Sequence, residues 1–175
     1  MIKFDSENSV LGPCFILLLD NKRRLETALK NIETMKKIVI AVDSDQSSEK
    51  IAFNGFQFGL QVNAEIALLS VVDLTMLITE GGVTAKEFAE ITVNDYKKNQ
   101  QMLVDSVFKD YKIKTFVEEG LPHEVILKVA REWNADMIVL GTHGRTGISH
   151  LIMGSVAEKV VRHSEIPILI IPIKS

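Results

Sequence analysis

The sequence predicts an α/β domain built on an open, mostly parallel five-stranded sheet with helices on both faces. Two observations predict it. From Lys36 onward, short runs of branched apolar residues alternate with longer segments of helical spacing, the rhythm that right-handed crossovers impose on a parallel sheet. The runs are also continuously apolar, as strands covered on both faces are.

"KIVIAV" is the first strand and stops at Asp43. In "SDQSSEKIAFNGFQFGL", Asp45, Ser47 and Ser48 serve as caps, and Ile51, Ala52, Gly55, Phe56, Gly59 and Leu60 fall at helical spacing. "AEIALLSVV" is the second strand, ending at Asp73, and a helix is expected from about Ala85 to Tyr111, with "YKKNQQ" as a solvated stretch. "IKTFVEEG" is the third strand. Gly120-Leu121-Pro122 turn it into "HEVILKVAREW", where Val125, Ile126, Val129, Ala130 and Trp133 form one apolar stripe. "ADMIVLG" is the fourth strand. After the loop "GTHGRTGISHLIMGS" comes "SVAEKVVRH", with Val156, Val160 and Val161 on one face and cations in its last turn. "IPILIIPI" is the fifth.

Residues 1–34 break this rhythm. "FILLLD" followed by "NKRRLETALKNIET" reads as a short strand and an exposed helix, or as a weakly ordered tail. The functional domain is expected over residues 35–175, with 1–34 as an N-terminal extension.

Composition narrows the function. Charged residues are 25% of the 175 and the formal net charge is -3, without a basic block, which argues against duplex nucleic acid and anionic membranes as partners. Cys14 is the only cysteine, so an internal disulfide and a multi-cysteine zinc site are excluded and a reducing compartment fits. "CFILLL" falls well short of the ~20 apolar residues that span a bilayer, and the basic "NKRR" follows it. Neither signal peptide nor anchor is read, and a cytoplasmic protein is expected.

In open parallel sheets ligands bind beyond the carboxyl ends of the strands, where strand order reverses. Asp43, Asp73 and the loop after "MIVLG" lie at such ends. Glycines at 141, 144 and 147 let backbone amides approach an anion, and Gly154-Ser155 add amides at a helix amino terminus. Ser155 offers a hydroxyl, and Arg145 or His143 a charge. The plainer alternative is a tight turn and a helix cap, the commoner role of a glycine-rich loop. Neither G-x-G-x-x-G nor a G-K-[ST] ending is present.

Gly141, Gly144, Gly154 and Ser155 fit the pattern G-x2-G-x9-G-[ST]. With "KKIVIAVD", "AEIALLSVVD", "EEGLPHEVILKVAREWNADMIVLGTHGRTG" and "MGSVAEKVVRHSEIPILIIP", this chain resembles the nucleotide-binding subclass of the universal stress protein family over some four fifths of its length. The resemblance implies a Rossmann-like, adenine nucleotide alpha hydrolase-like fold that binds ATP, with Mg²⁺ brought by the phosphates. It implies that Asp43 and the backbone of Ala41, beside Val42, meet adenosine, and that the backbone of Val71 reads the adenine edge. Leu140, Gly141, Thr142, His143, Gly144, Arg145, Thr146 and Gly147, with Gly154, Ser155 and Val156, would cradle ribose and phosphates. It further implies a homodimer in which the last strand, Ile166 to Ile173, pairs with its twofold mate, in keeping with the hazard of an apolar strand left at a sheet edge. Two departures stand out: "DSDQSS" replaces the family's usual D-G-S, and Leu74 to Thr84 is variable ground.

Other candidates have simpler roles. His123, His143, His150 and His163 are scattered, without metal-ligand spacing. Ser44, Ser47 and Ser48 lack a nucleophile elbow and suit helix capping. Trp133, Phe53, Phe56 and Phe58 are expected in the core. Glu118 and Glu119 are expected to face solvent, where one could orient a water. The resemblance makes a nucleotide-dependent stress-response or regulatory module the leading function. A slow ATPase or autophosphorylating phosphotransferase is the alternative, and needs a positioned base.

Overall fold

The computed structural model describes residues 16–17, 35–76, 85–142 and 153–173. Strand β1 is Ile16–Leu17, β2 Lys37–Val42, β3 Glu65–Val72, β4 Lys114–Glu119, β5 Met137–Gly141 and β6 Ile168–Ile171. Helices are α1 Ser48–Gln61, α2 Ala85–Leu103, α3 Pro122–Glu132 and α4 Ser155–His163. A π-helical turn, Val104–Phe108, continues α2. The expected helix to Tyr111 is thus shorter and ends in a wider turn.

The sheet runs β1-β6-β5-β2-β3-β4. The five predicted strands are all parallel; β1 joins them antiparallel, with Ile16 opposite Ile170 and Leu17 opposite Leu169. The last predicted strand was expected at the sheet edge, and here the structure differs: the outer side of β6 carries β1. Of the two readings of the extension, a short strand is present at Ile16–Leu17, while "NKRRLETALKNIET" lies outside the described residues.

Alternate strand residues feed two cores, which is why the strands read as continuously apolar. Ile38, Ile40, Val42, Ile66, Leu68 and Val139 face α1 and the π-turn, packing with Ile51, Phe56, Phe58 and Phe108. Val39, Ala41, Leu69, Val71, Ile138, Leu140 and Ile170 face α3 and α4, packing with Ile126, Val129, Ala130 and Val160. Each fully buried Ile or Leu contributes roughly 1.5–3 kcal/mol, so these layers supply the main stabilisation. Gly55 and Gly59 let α1 lie close on the sheet: a Cβ at Gly55 would stand 2.8 Å from Ile40 Cδ1, and one at Gly59 2.7 Å from Ile66 Cδ1.

Among the aromatics, Phe56 and Phe58 are buried as expected, but Phe53 is 51% exposed on the outer face of α1. Trp133 is half-buried, edge-on to Phe116 and beneath Lys37 Nζ. Among the described residues no helix is long and apolar enough to cross a membrane.

Candidate functional site

The carboxyl end of the sheet opens at one place. Pairing between β2 and β5 runs from Ile38 opposite Met137 to Ile40 opposite Val139, then stops. Each strand stays paired to its outer neighbour for longer, β2 with β3 as far as Val42 opposite Ser70, and β5 with β6 as far as Gly141 opposite Ile171. Strand order reverses here, because the chain builds β3 and β4 outward on one side and then crosses to β5 and β6 on the other. A crevice at such a point takes ligands in doubly wound sheets.

Ala41, Val42, Leu140 and Gly141 lie just past the last β2–β5 pair. The side chains of Ala41, Val42 and Leu140 are buried in the two cores, so what they offer a ligand is backbone. Val71 lies one residue beyond the end of the β2–β3 ladder, with its side chain also in the core.

Asp43 forms one lip. Its Oδ1 accepts from the Ser44 backbone N–H at 2.7 Å and from the Tyr96 hydroxyl at 3.1 Å. The Ser48 hydroxyl, at the start of α1, donates to the Asp43 carbonyl at 2.5 Å. Capping is divided differently from expectation: Ser47 makes no side-chain cap, and Asp45 Oδ1 accepts from Ser47 N and Ser47 Oγ at 2.9 and 2.6 Å. The replacement of the usual D-G-S thus has a structural use in starting α1. Asp73 accepts from Thr75 N and Oγ1 at 3.0 and 2.6 Å, turning the chain out of β3.

The other lip is the base of the glycine loop. Thr142 N donates to Ile171 O at 3.0 Å, Ile173 N donates to Thr142 Oγ1 at 2.9 Å, and Gly154 N donates to Thr142 O at 2.5 Å. Thr142 is buried and engaged by the protein through its amide, carbonyl and hydroxyl oxygen. It closes the loop between entry and exit strands of chain. Gly154 has φ -70° and ψ 157°, a conformation open to any residue, and caps α4 without a side-chain hydrogen bond. Ser155 and Val156 are exposed in the first turn of α4, whose leading amides have no intrahelical partner. His143, Gly144, Arg145, Thr146 and Gly147 lie outside the described residues.

Sequence reasoning missed Tyr96 and Gln100. Both sit in "YKKNQQ", expected to be solvated, yet they are 5% exposed. Gln100 Nε2 lies 2.9 Å from Phe116 O and 3.2 Å from both Leu68 O and Ser70 Oγ, tying α2 to β3 and β4. The available signal was their four-residue separation on one helical face. Glu118 and Glu119 are exposed, as expected, with Glu118 in register with Val71.

An open, mostly parallel sheet with helices on both faces and a crevice at its reversal point defines a doubly wound α/β protein. The family model for the universal stress protein family matches residues 34–172. The chain belongs to that family. Universal stress protein MJ0531 of Methanocaldococcus jannaschii is 32% identical over 163 residues, covering 90% of this chain and 94% of that protein. That alignment leaves out a tenth of the chain, less than the stretch preceding residue 34, so the similarity reaches into the N-terminal extension. Universal stress protein MJ0577 of the same organism is 26% identical; its solved structure superposes with a TM-score of 0.69, covering 81% of this chain and 98% of that one. A universal stress protein solved in complex with cAMP shares the fold at a TM-score of 0.54 and 19% identity, covering 79% of this chain and 97% of that one.

Proposed function

We propose that this protein binds an adenine nucleotide, ATP in the first instance, in the crevice between β2 and β5, and that occupancy regulates its part in a stress response. The observation that carries this is the pairing of two chemically distinct lips across one opening. Asp43 offers an anchored acceptor suited to the hydroxyls of a nucleoside, while the α4 amino terminus offers amides suited to phosphate. The backbone at Gly154 does not demand glycine, so a clear approach for a phosphate oxygen supplies the reason for one there. The G-x2-G-x9-G-[ST] spacing and a protein of the same fold solved with cAMP support the same ligand class.

In this reading the backbones of Ala41 and Val71 meet the adenosine, with Val42 and Leu140 as floor. Gly141 to Gly147, Gly154, Ser155 and Val156 hold ribose and phosphates. Thr142 holds the loop closed. Mg²⁺ would come with the phosphates.

A homodimer through Ile166 to Ile173 belongs to the proposal with a condition attached. The outer edge of β6 is paired to Ile16–Leu17, so a second copy reaches it only when β1 is displaced.

Native mass spectrometry of gently purified protein, followed by calorimetric titration of the stripped protein with ATP, tests the binding. Co-purified or titratable adenine nucleotide is the expected result; stripped, folded protein that takes up neither ATP nor AMP overturns it.

A further inference from the structure

Helix α2 is attached to the sheet in an unusual way. Among its described side chains, Tyr96 and Gln100 alone are buried, although a helix packed on a sheet ordinarily buries aliphatic residues. A phenylalanine at 96 would bury the same ring without a hydroxyl to satisfy. The hydroxyl donates to Asp43 Oδ1, across 53 residues of sequence at the lip of the crevice. Gln100, one turn on, bonds only to sheet groups of β3 and β4.

We infer, on the adenine-nucleotide reading given above, that Tyr96 is a positioning residue that presets the Asp43 carboxylate for the nucleoside. A carboxylate on an isolated strand end rotates about its side-chain torsions and loses that freedom on binding. Two donors on one oxygen, the Ser44 amide at 2.7 Å and the Tyr96 hydroxyl at 3.1 Å, fix its plane before the ligand arrives. Such preorganisation lowers the cost of binding without adding a ligand contact. Asp43 is half-buried, not sealed in, so losing the phenol leaves it within reach of water. The cost of Tyr96→Phe therefore falls on binding more than on folding.

The test is a double-mutant cycle on the full chain, with adenosine and ATP as titrants and thermal melting as the fold control. Tyr96→Phe should weaken both ligands about fivefold, the scale of part of one charge-assisted hydrogen bond. Introduced into Asp43→Ala, it should cause no further loss, because the group it orients is gone. Gln100→Leu should lower the melting temperature yet leave adenosine affinity unchanged. Additive losses in the cycle, or a loss from Gln100→Leu equal to that from Tyr96→Phe, would overturn the assignment and point to general loosening of α2. A wild-type chain that binds neither ligand removes the nucleotide reading itself, a result distinct from a binding wild type with indifferent variants.

Discussion

The two lips of the crevice are built by opposite means. On the β2 side a side chain, Asp43, presents the chemistry: the Ser44 amide and the Tyr96 hydroxyl hold its carboxylate, and the Ser48 hydroxyl holds its backbone carbonyl. On the β5 side the chemistry is backbone. Thr142 and Gly154 close the loop base, and the amides leading α4 follow a glycine cap that makes no side-chain hydrogen bond. The difference teaches that one lip is specific to shape and hydroxyl placement, whereas the other answers to negative charge. Substitutions should therefore separate nucleoside from phosphate.

The sharpest break comes from Gly154→Val. A branched side chain would stand over the amides, and ATP affinity is expected to fall by about a hundredfold, with adenosine affinity unchanged. The fold should survive, since φ -70° suits valine, with about 1 kcal/mol lost to poorer capping. Calorimetry with both ligands decides it; ATP binding unaltered in the folded variant would return the loop to a turn and a cap.

Asp43→Ala should weaken adenosine and ATP alike, by at least about tenfold, the scale of one hydrogen bond to a charged group. A loss confined to ATP would erase the contrast between the lips. Ser155→Ala, on the phosphate side, should cost about tenfold in ATP affinity and nothing for adenosine, measured in the same titrations.

Thr142→Val keeps the side-chain shape but removes the acceptor of the Ile173 amide. A fall in stability of about 1 to 2 kcal/mol is expected from denaturant unfolding, with a lesser effect on ATP because the Gly154 amide bond to the Thr142 carbonyl remains.

The smallest effect on binding should come from deleting residues 1–34, because every proposed ligand residue lies after them. Its effect should be on assembly. Ile168–Ile171 would lose its β1 partner, and sedimentation should show more dimer than the full chain gives, since an uncovered apolar edge pairs. A truncated protein no more associated than the full chain would show that β1 does not guard the edge.

The strands were legible because burial on both faces leaves a signal within each run: "KIVIAV" and "MIVLG" need no distant information to be read. The loop was legible as spacing, Gly141 to Ser155. What escaped depended on contacts far apart in sequence. Tyr96 and Gln100 look like solvated polar residues until Asp43, just past β2, and the backbones of β3 and β4 give their hydrogen-bonding groups partners. Phe53 looks like core until α1 settles with its Gly55 and Gly59 face on the sheet.

By itself the sequence determined the element order, the parallel class of the sheet and the loop spacing, because periodicity and chain connectivity are local properties. Only the tertiary structure decided where β2 and β5 part, which groups hold Asp43, and that Ile16–Leu17 covers β6. Those depend on strand register and on polar groups meeting across 53 residues in one case and 154 in another, and neither kind of meeting leaves a period in the chain.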